Sequence, residues 1–127
     1  MTSYRDWQTR VMDWWEKAQN PEVIDATHVG DEATSACGDS IVAYGRIEGE
    51  VLADLSLRSR GCCLSQAAAA MVTELCRCME TSAAAAVTDE EIIQRMGGYY
   101  IAPERHKCVL TAIKAVRSLC EKATFKS

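Results

Sequence analysis

The chain has 127 residues, 48% of them hydrophobic and 25% charged, and a net charge of -4. That length fits one domain with a modest core. The acidic balance argues against nucleic acid or an anionic membrane as main partner, since both reward a concentrated basic footprint. No apolar run is long enough to span a bilayer, and the N-terminus lacks the charged-then-apolar pattern of a signal peptide. A cytoplasmic protein with no membrane partner is the expectation.

Tyr4, Trp7, Val11, Trp14 and Trp15 recur at helical spacing, which predicts an amphipathic helix over 4–19 stopped by Asn20-Pro21. Its aromatic stripe docks on the core in one reading and faces a partner in the other. Residues 20–36 show little periodicity and read as a long loop, with His28 solvated in it. A hairpin follows over 40–47 and 50–58, turning at Glu48-Gly49-Glu50. Val51, Ala53, Leu55 and Leu57 alternate with Leu52, Asp54, Ser56 and Arg58, so the first set is expected on one face. Its sheet is expected to be covered on one side by helices.

Leu64, Ala68, Met71, Leu75 and Cys78 share one face of a predicted helix over 64–79. Ala83 to Ala86 reads as loop or helix start. Thr88-Asp89-Glu90-Glu91 is a capping-box pattern, and a short helix through Ile92, Ile93 and Met96 should end at Gly97-Gly98. Tyr99 to Pro103 is a connector. The last helix covers 105–122, with Val109, Ile113, Val116 and Cys120 on its buried face.

Seven cysteines is a high count for such a chain. The number is odd, and a reducing compartment disfavours structural disulfides, so metal binding, sulfur chemistry or burial remain. Cys78 and Cys120 fall on apolar stripes and read as core residues, while Cys76 flanks its stripe. Cys37, Cys62 and Cys108 belong to no clean stripe. Cys37 sits in a turn before a strand, Cys62 follows Gly61 at a strand-to-helix junction, and Cys108 lies in the first turn of the last helix. Unpaired backbone N–H groups at helix N-termini favour thiolates. Asp39, two residues after Cys37, offers an oxygen. Three thiols and a carboxylate could complete a tetrahedral zinc or iron site. Spacing alone leaves scattered structural thiols equally open, since no CxxC pair is present.

Asn20-Pro21, Ala36-Cys37-Gly38-Asp39, Gly61-Cys62 with Ser65 and the small-residue run through Met71, then Pro103 and Lys107-Cys108 with Ile113-Lys114-Ala115, stand in the order of one known family. The pattern resembles the IscU/SufU/NifU N-terminal scaffold family over nearly the whole chain. The resemblance implies a single domain over 1–127 with an α+β fold, a small antiparallel β-sheet packed against several α-helices. It implies an iron–sulfur cluster assembly scaffold that accepts persulfide sulfur from a cysteine desulfurase, builds a labile [2Fe–2S] cluster, and supplies recipient proteins. Carried over by position, Cys37, Cys62 and Cys108 are the cysteine ligands and Asp39 the associated carboxylate. The sulfur acceptor is Cys108 by the IscU pattern and Cys37 by the SufU pattern, in which zinc occupies the site and releases that thiol. The alternative is therefore a zinc-dependent sulfurtransferase that relays persulfide without holding a cluster.

Several positions depart from the IscU pattern. Lys107 stands where many IscU sequences have histidine, as in SufU-type sequences, and His106 is one residue earlier. Ala102-Pro103-Glu104-Arg105 replaces the Leu-Pro-Pro-Val-Lys segment that engages an Hsp70-type chaperone, so the resemblance does not carry that partner over. The insertion of SufU-type sequences between the second and third cysteines is missing. Cys63 falls where the family usually has a small non-thiol residue, and its role stays open between spare ligand, second acceptor and structural thiol.

Overall fold

The computed structural model describes residues 3–125. Helix α1 (Tyr4–Ala18) starts at Ser3, whose hydroxyl accepts from the Asp6 N–H while Asp6 accepts from the Ser3 N–H. This reciprocal cap satisfies two donors that the first turn would otherwise leave free. The aromatic stripe docks inward: Trp7, Trp14 and Trp15 pack half-buried against the core beside buried Val11.

Four strands follow: β1 (His28–Val29), β2 (Ala33–Thr34), β3 (Ser40–Glu48) and β4 (Val51–Arg60). All pairings are antiparallel, with β3 in the middle. β4 lies along one side of β3, while β1 and β2 share the other. The expected 20–36 loop thus contains two short strands. They escape a search for periodicity because two residues cannot show a period. His28 is a strand residue, not a loop one, and its Nδ1 lies 2.8 Å from the Thr27 hydroxyl.

The hairpin departs from simple alternation at one place. Arg46 pairs with Asp54 but Ile47 pairs with Leu52, so Ala53 is an extra residue on β4. A bulge of this kind flips the side-chain phase beyond it. The inward set is therefore Leu52, Leu55 and Leu57, all buried, while Val51 is 38% exposed. This corrects the expected facing of Val51 and Ala53.

Helices α2 (Cys63–Cys76), α3 (Thr81–Ala86), α4 (Asp89–Arg95) and α5 (His106–Phe125) complete the fold, with 3₁₀ turns at Gly98–Tyr100 and Pro103–Arg105. They give an α+β architecture, a small antiparallel sheet covered on its inner face by helices. Helix α2 is the central packing element and touches α1, α5 and β4. Its Ala67, Ala68 and Ala69 are essentially fully buried, and their small size lets all three neighbours approach. Helix α5 contributes Val109, Ile113, Val116 and Leu119, each fully buried. Each such side chain contributes about 1.5–3 kcal/mol of transfer free energy. No helix among the described residues is long and apolar enough to cross a membrane.

Two thiol placements are corrected. Helix α2 ends at Cys76 rather than Met79, so Cys78 is not a core residue; it is exposed with φ 70. The chain leaves the helix there to pair with the hairpin, as the Cys78 N–H donates to the Leu52 carbonyl and the Leu52 N–H to that of Met79. Cys76 takes the core position instead, with 0% exposure. Burial, and then the neighbouring Cys120, push its thiol up to about 12. Cys120 is buried as expected, and burial raises it to about 11.

The short helix α4 is capped by Thr88, whose hydroxyl accepts from the Glu91 N–H at 3.1 Å. The chain then turns at Gly97, with φ 126, under the ring of Trp7. The Trp7 Nε1–H donates to the Met96 carbonyl at 2.7 Å and the indole stacks on Tyr100. A Cβ on Gly97 would lie 1.9 Å from Trp7 Nε1. Gly97→Ala is expected to destabilise the fold by about 2–4 kcal/mol, from strain plus the lost indole hydrogen bond. Gly49→Ala, also at positive φ but facing open space, should cost about 1 kcal/mol. Urea unfolding followed by tryptophan fluorescence distinguishes the two.

Candidate metal and sulfur site

Three element starts meet at one corner of the sheet. The last pair of the hairpin is Ser40 with Arg60, so the residues just outside it, Asp39 and Gly61, are brought face to face. The chain then enters α2 through Cys62, which is the N-cap residue. Its Sγ accepts from the Ser65 N–H at 3.4 Å. Cys108 arrives from the first turn of α5 and is 1% exposed.

Asp39 holds the corner together. It is 1% exposed, and its Oδ1 accepts from the Cys62 N–H at 2.9 Å and the Ser65 hydroxyl at 3.1 Å. Its Oδ2 accepts from the Ser35 hydroxyl at 2.6 Å. Burial alone would raise this carboxyl. Hydrogen bonds from Ser35, the Cys62 N–H, the Cys108 thiol and Ser65 outweigh it and bring the pKa to about 2. Asp39 is thus an anion at any pH near neutrality.

Gly61 is required by this contact. It has φ 135, and a Cβ there would lie 2.1 Å from Asp39 Oδ1.

The thiols divide by environment. Burial opposes ionisation of Cys62, but the Ser65 N–H and the Arg105 guanidinium outweigh it, so its pKa is lowered. Cys108 goes the other way. Burial, its hydrogen bond to Asp39 and the nearby Cys62 push it up to about 12. The more readily ionised thiol thus sits beside one held protonated, with the proton on Cys108 donated to Asp39. Arg105, exposed at the end of the second 3₁₀ turn, hydrogen-bonds both sulfurs, and these contacts raise its own pKa.

The ligand-type atoms of Asp39, Cys62 and Cys108 lie within 4.8 Å of one another. Two thiols and one carboxylate are a donor set that suits zinc or iron. A tetrahedral ion holds such donors roughly 3.5–3.8 Å apart, so a small contraction completes three corners. Cys37 is placed differently. It is exposed on the Ser35–Asp39 turn and lies outside that cluster. Gly38, with φ 88 and open space around it, is the next residue. Of the four sequence-derived site residues, the structure thus gathers three and leaves the fourth on an adjacent turn. Cys63, the first residue of α2, is exposed, and neither it nor His106 belongs to the cluster.

Ser35 and Arg105 were not singled out from sequence. Ser35 is the partner that an aspartate-bearing turn offers four residues back. Arg105 lies three residues before Cys108, in a segment read only for a chaperone motif it lacks.

The fold has known counterparts. A candidate iron–sulfur cluster assembly scaffold of the SUF system from Fervidobacterium islandicum AW-1 superposes with a TM-score of 0.70 at 20% identity, covering 87% of this chain and 93% of that one. The N-terminal part of a NifU-like protein from Brucella abortus gives a TM-score of 0.68 at 16% identity, covering 95% and 99%. These likenesses show a shared fold. The model of the NifU-like N terminal domain matches residues 6–124, and the chain belongs to that family. In sequence it is 25% identical over 122 residues to the zinc-dependent sulfurtransferase SufU of Bacillus subtilis, covering 84% of this chain and 83% of that protein. It is 24% identical over 109 residues to the iron–sulfur cluster assembly scaffold protein IscU 1 of Archaeoglobus fulgidus, covering 85% and 70%.

Two expectations follow from the geometry. Gly61→Ala should displace Asp39 and lower zinc uptake at least about tenfold in competition with a chromophoric chelator. Gly38→Ala, which meets nothing within 4 Å, should leave Asp39 in place and cost far less. In the metal-free protein, Arg105→Ala should move the alkylation profile of Cys62 to higher pH. The rate at neutral pH then falls, because less of the thiol is ionised. Iodoacetamide labelling with mass mapping of Cys62 reads this out.

Proposed function

We propose that this chain is an iron–sulfur cluster assembly scaffold. It takes persulfide sulfur from a cysteine desulfurase and carries a labile [2Fe–2S] cluster as cargo for recipient proteins. Cys37, Cys62 and Cys108 are the cluster ligands and Asp39 the oxygen donor. The observation that carries this reading is the convergence of Asp39, Cys62 and Cys108 within 4.8 Å where three elements begin.

Sulfur enters by thiol–persulfide exchange. A thiolate attacks the outer sulfur of the donor persulfide, a new S–S bond forms, the donor's S–S bond breaks, and the donor cysteine leaves as thiolate. Exposure supports Cys37 as first acceptor, since an incoming persulfide reaches it without opening the corner. Cys108 is buried and protonated toward Asp39, so it accepts only after that hydrogen bond and the Arg105 contact release it. A carboxylate holds iron less firmly than a thiolate would, which suits a scaffold that must let its cargo go.

The similarity to the zinc-dependent sulfurtransferase supports a second reading, in which the same residues hold zinc and relay persulfide without a cluster. The donor set fits that ion equally well. Bound zinc would keep the thiols deprotonated and the Ser35–Asp39 turn ordered.

Anaerobic reconstitution with ferrous iron and sulfide tests the choice. The scaffold reading expects a brown protein whose visible absorption is lost in each of Cys37→Ser, Cys62→Ser and Cys108→Ser. The zinc reading expects about one tightly bound zinc per chain, no visible band, and persulfide transfer that needs no iron. Absence of a one-sulfur mass gain after incubation with a cysteine desulfurase and cysteine would rule out both.

A further inference from the structure

The outer face of the sheet carries a groove of about 390 Å³ that the thiol corner does not use. Its lining includes Ser40, Tyr44, Arg58, Arg60 and Gln66, with Glu32 on the rim. Strand alternation puts Arg58 and Arg60 on one face of β4, opposite Val42 and Ser40 of β3. Both arginines are exposed, and neither has a salt bridge among the described residues. Arg46, on the same face, is by contrast paired with Glu48 at 3.1 Å. Arg58 lies over the Tyr44 ring at 5.6 Å, which orients its guanidinium. In a chain with net charge -4, two adjacent guanidiniums with no salt bridge among the described residues are a local exception. They also sit beside the site: Arg60 is two residues from Cys62, and Ser40 follows Asp39.

We propose that this groove is a docking strip for an extended, acidic segment of the protein that hands sulfur to the thiol corner. Side chains on one face of an extended peptide repeat about every 6.7 Å, the same step that separates Arg58 from Arg60 along β4. Carboxylates at alternate positions therefore meet both guanidiniums, each of which offers paired N–H donors. Val42, across from Arg58, and Tyr44 beside it also line the groove. Glu32 repels a carboxylate on its own rim and so favours one placement of the segment. Complementary charge of this kind speeds encounter and fixes register. The identity of the partner as sulfur donor rests on the sulfur-accepting reading above.

Two measurements on the full chain test this. The first titrates a fluorescent peptide bearing Glu-Thr-Glu-Val-Glu against wild type and the R58E/R60E double variant, with Glu-Glu-Glu-Thr-Val as the same composition without alternation. The alternating peptide should bind wild type at least fivefold tighter than the contiguous one. It should weaken at least tenfold in R58E/R60E and stay within twofold in R46E. The second measures the concentration of this protein that half-saturates persulfide transfer from a cysteine desulfurase. That value should rise at least fivefold in R58E/R60E, with zinc content and circular dichroism unchanged. Equal peptide binding by wild type and R58E/R60E overturns the docking strip whatever the sulfur result. Peptide binding as expected with an unchanged half-saturation overturns the sulfur donor as occupant. Peptide binding by a wild-type protein that takes up no persulfide overturns the sulfur-accepting reading and, with it, the donor assignment, while the acidic-peptide strip stands.

Discussion

The buried carboxylate of Asp39 is the contact on which the thiol corner depends. Its oxygens accept from Ser35, the Cys62 N–H and Ser65, tying the turn before β3 to the N-terminus of α2. An unpaired buried anion would cost several kcal/mol, so the fold closes only when these donors are in place. Gly61 is the steric counterpart of the same requirement, because the carboxylate fills the space its Cβ would need. One residue therefore positions the site and also stands among its ligand-type atoms.

That dual use sets up a competition. While the Cys108 thiol donates to Asp39, the carboxylate is engaged and the thiol stays protonated. A metal ion at the corner would replace the proton with a stronger partner for all three groups. Arg105 already supplies one positive charge there, through hydrogen bonds to both sulfurs. The corner thus sets that guanidinium beside the Asp39 carboxylate and the Cys62 thiol, whose ionisation it favours.

Much of this was legible in the chain, and the gaps have physical causes. The α1 stripe, the β3–β4 hairpin, the Thr88 cap and the buried face of α5 follow from periodicity and capping chemistry. The bulge at Ala53 was hidden because Val51-Leu52-Ala53 is apolar throughout, and no residue type marks which one is extra. Cys78 continued the helical period of α2, but pairing with Leu52 drew the chain away, a tertiary preference overriding a local one. At the corner, Cys62 and Cys108 stood out because they belong to no apolar stripe, and Asp39 because it follows Cys37 by two residues. The outward placement of Cys37 could not be read, because it depends on a turn whose form is set by the Ser35 hydrogen bonds.

The three groups at the corner come from β3, α2 and α5, so they are distant in sequence and meet only through the packed core between them. Contacts of high sequence separation form late, after the loop-closure entropy has been met. An ion or cluster bridging them would act as a three-way cross-link over most of the chain, stabilising the folded state through mass action. Loading would then be coupled to structural completion: a chain that has not finished folding has no corner to fill, and a filled one would resist unfolding until the bridging group departs.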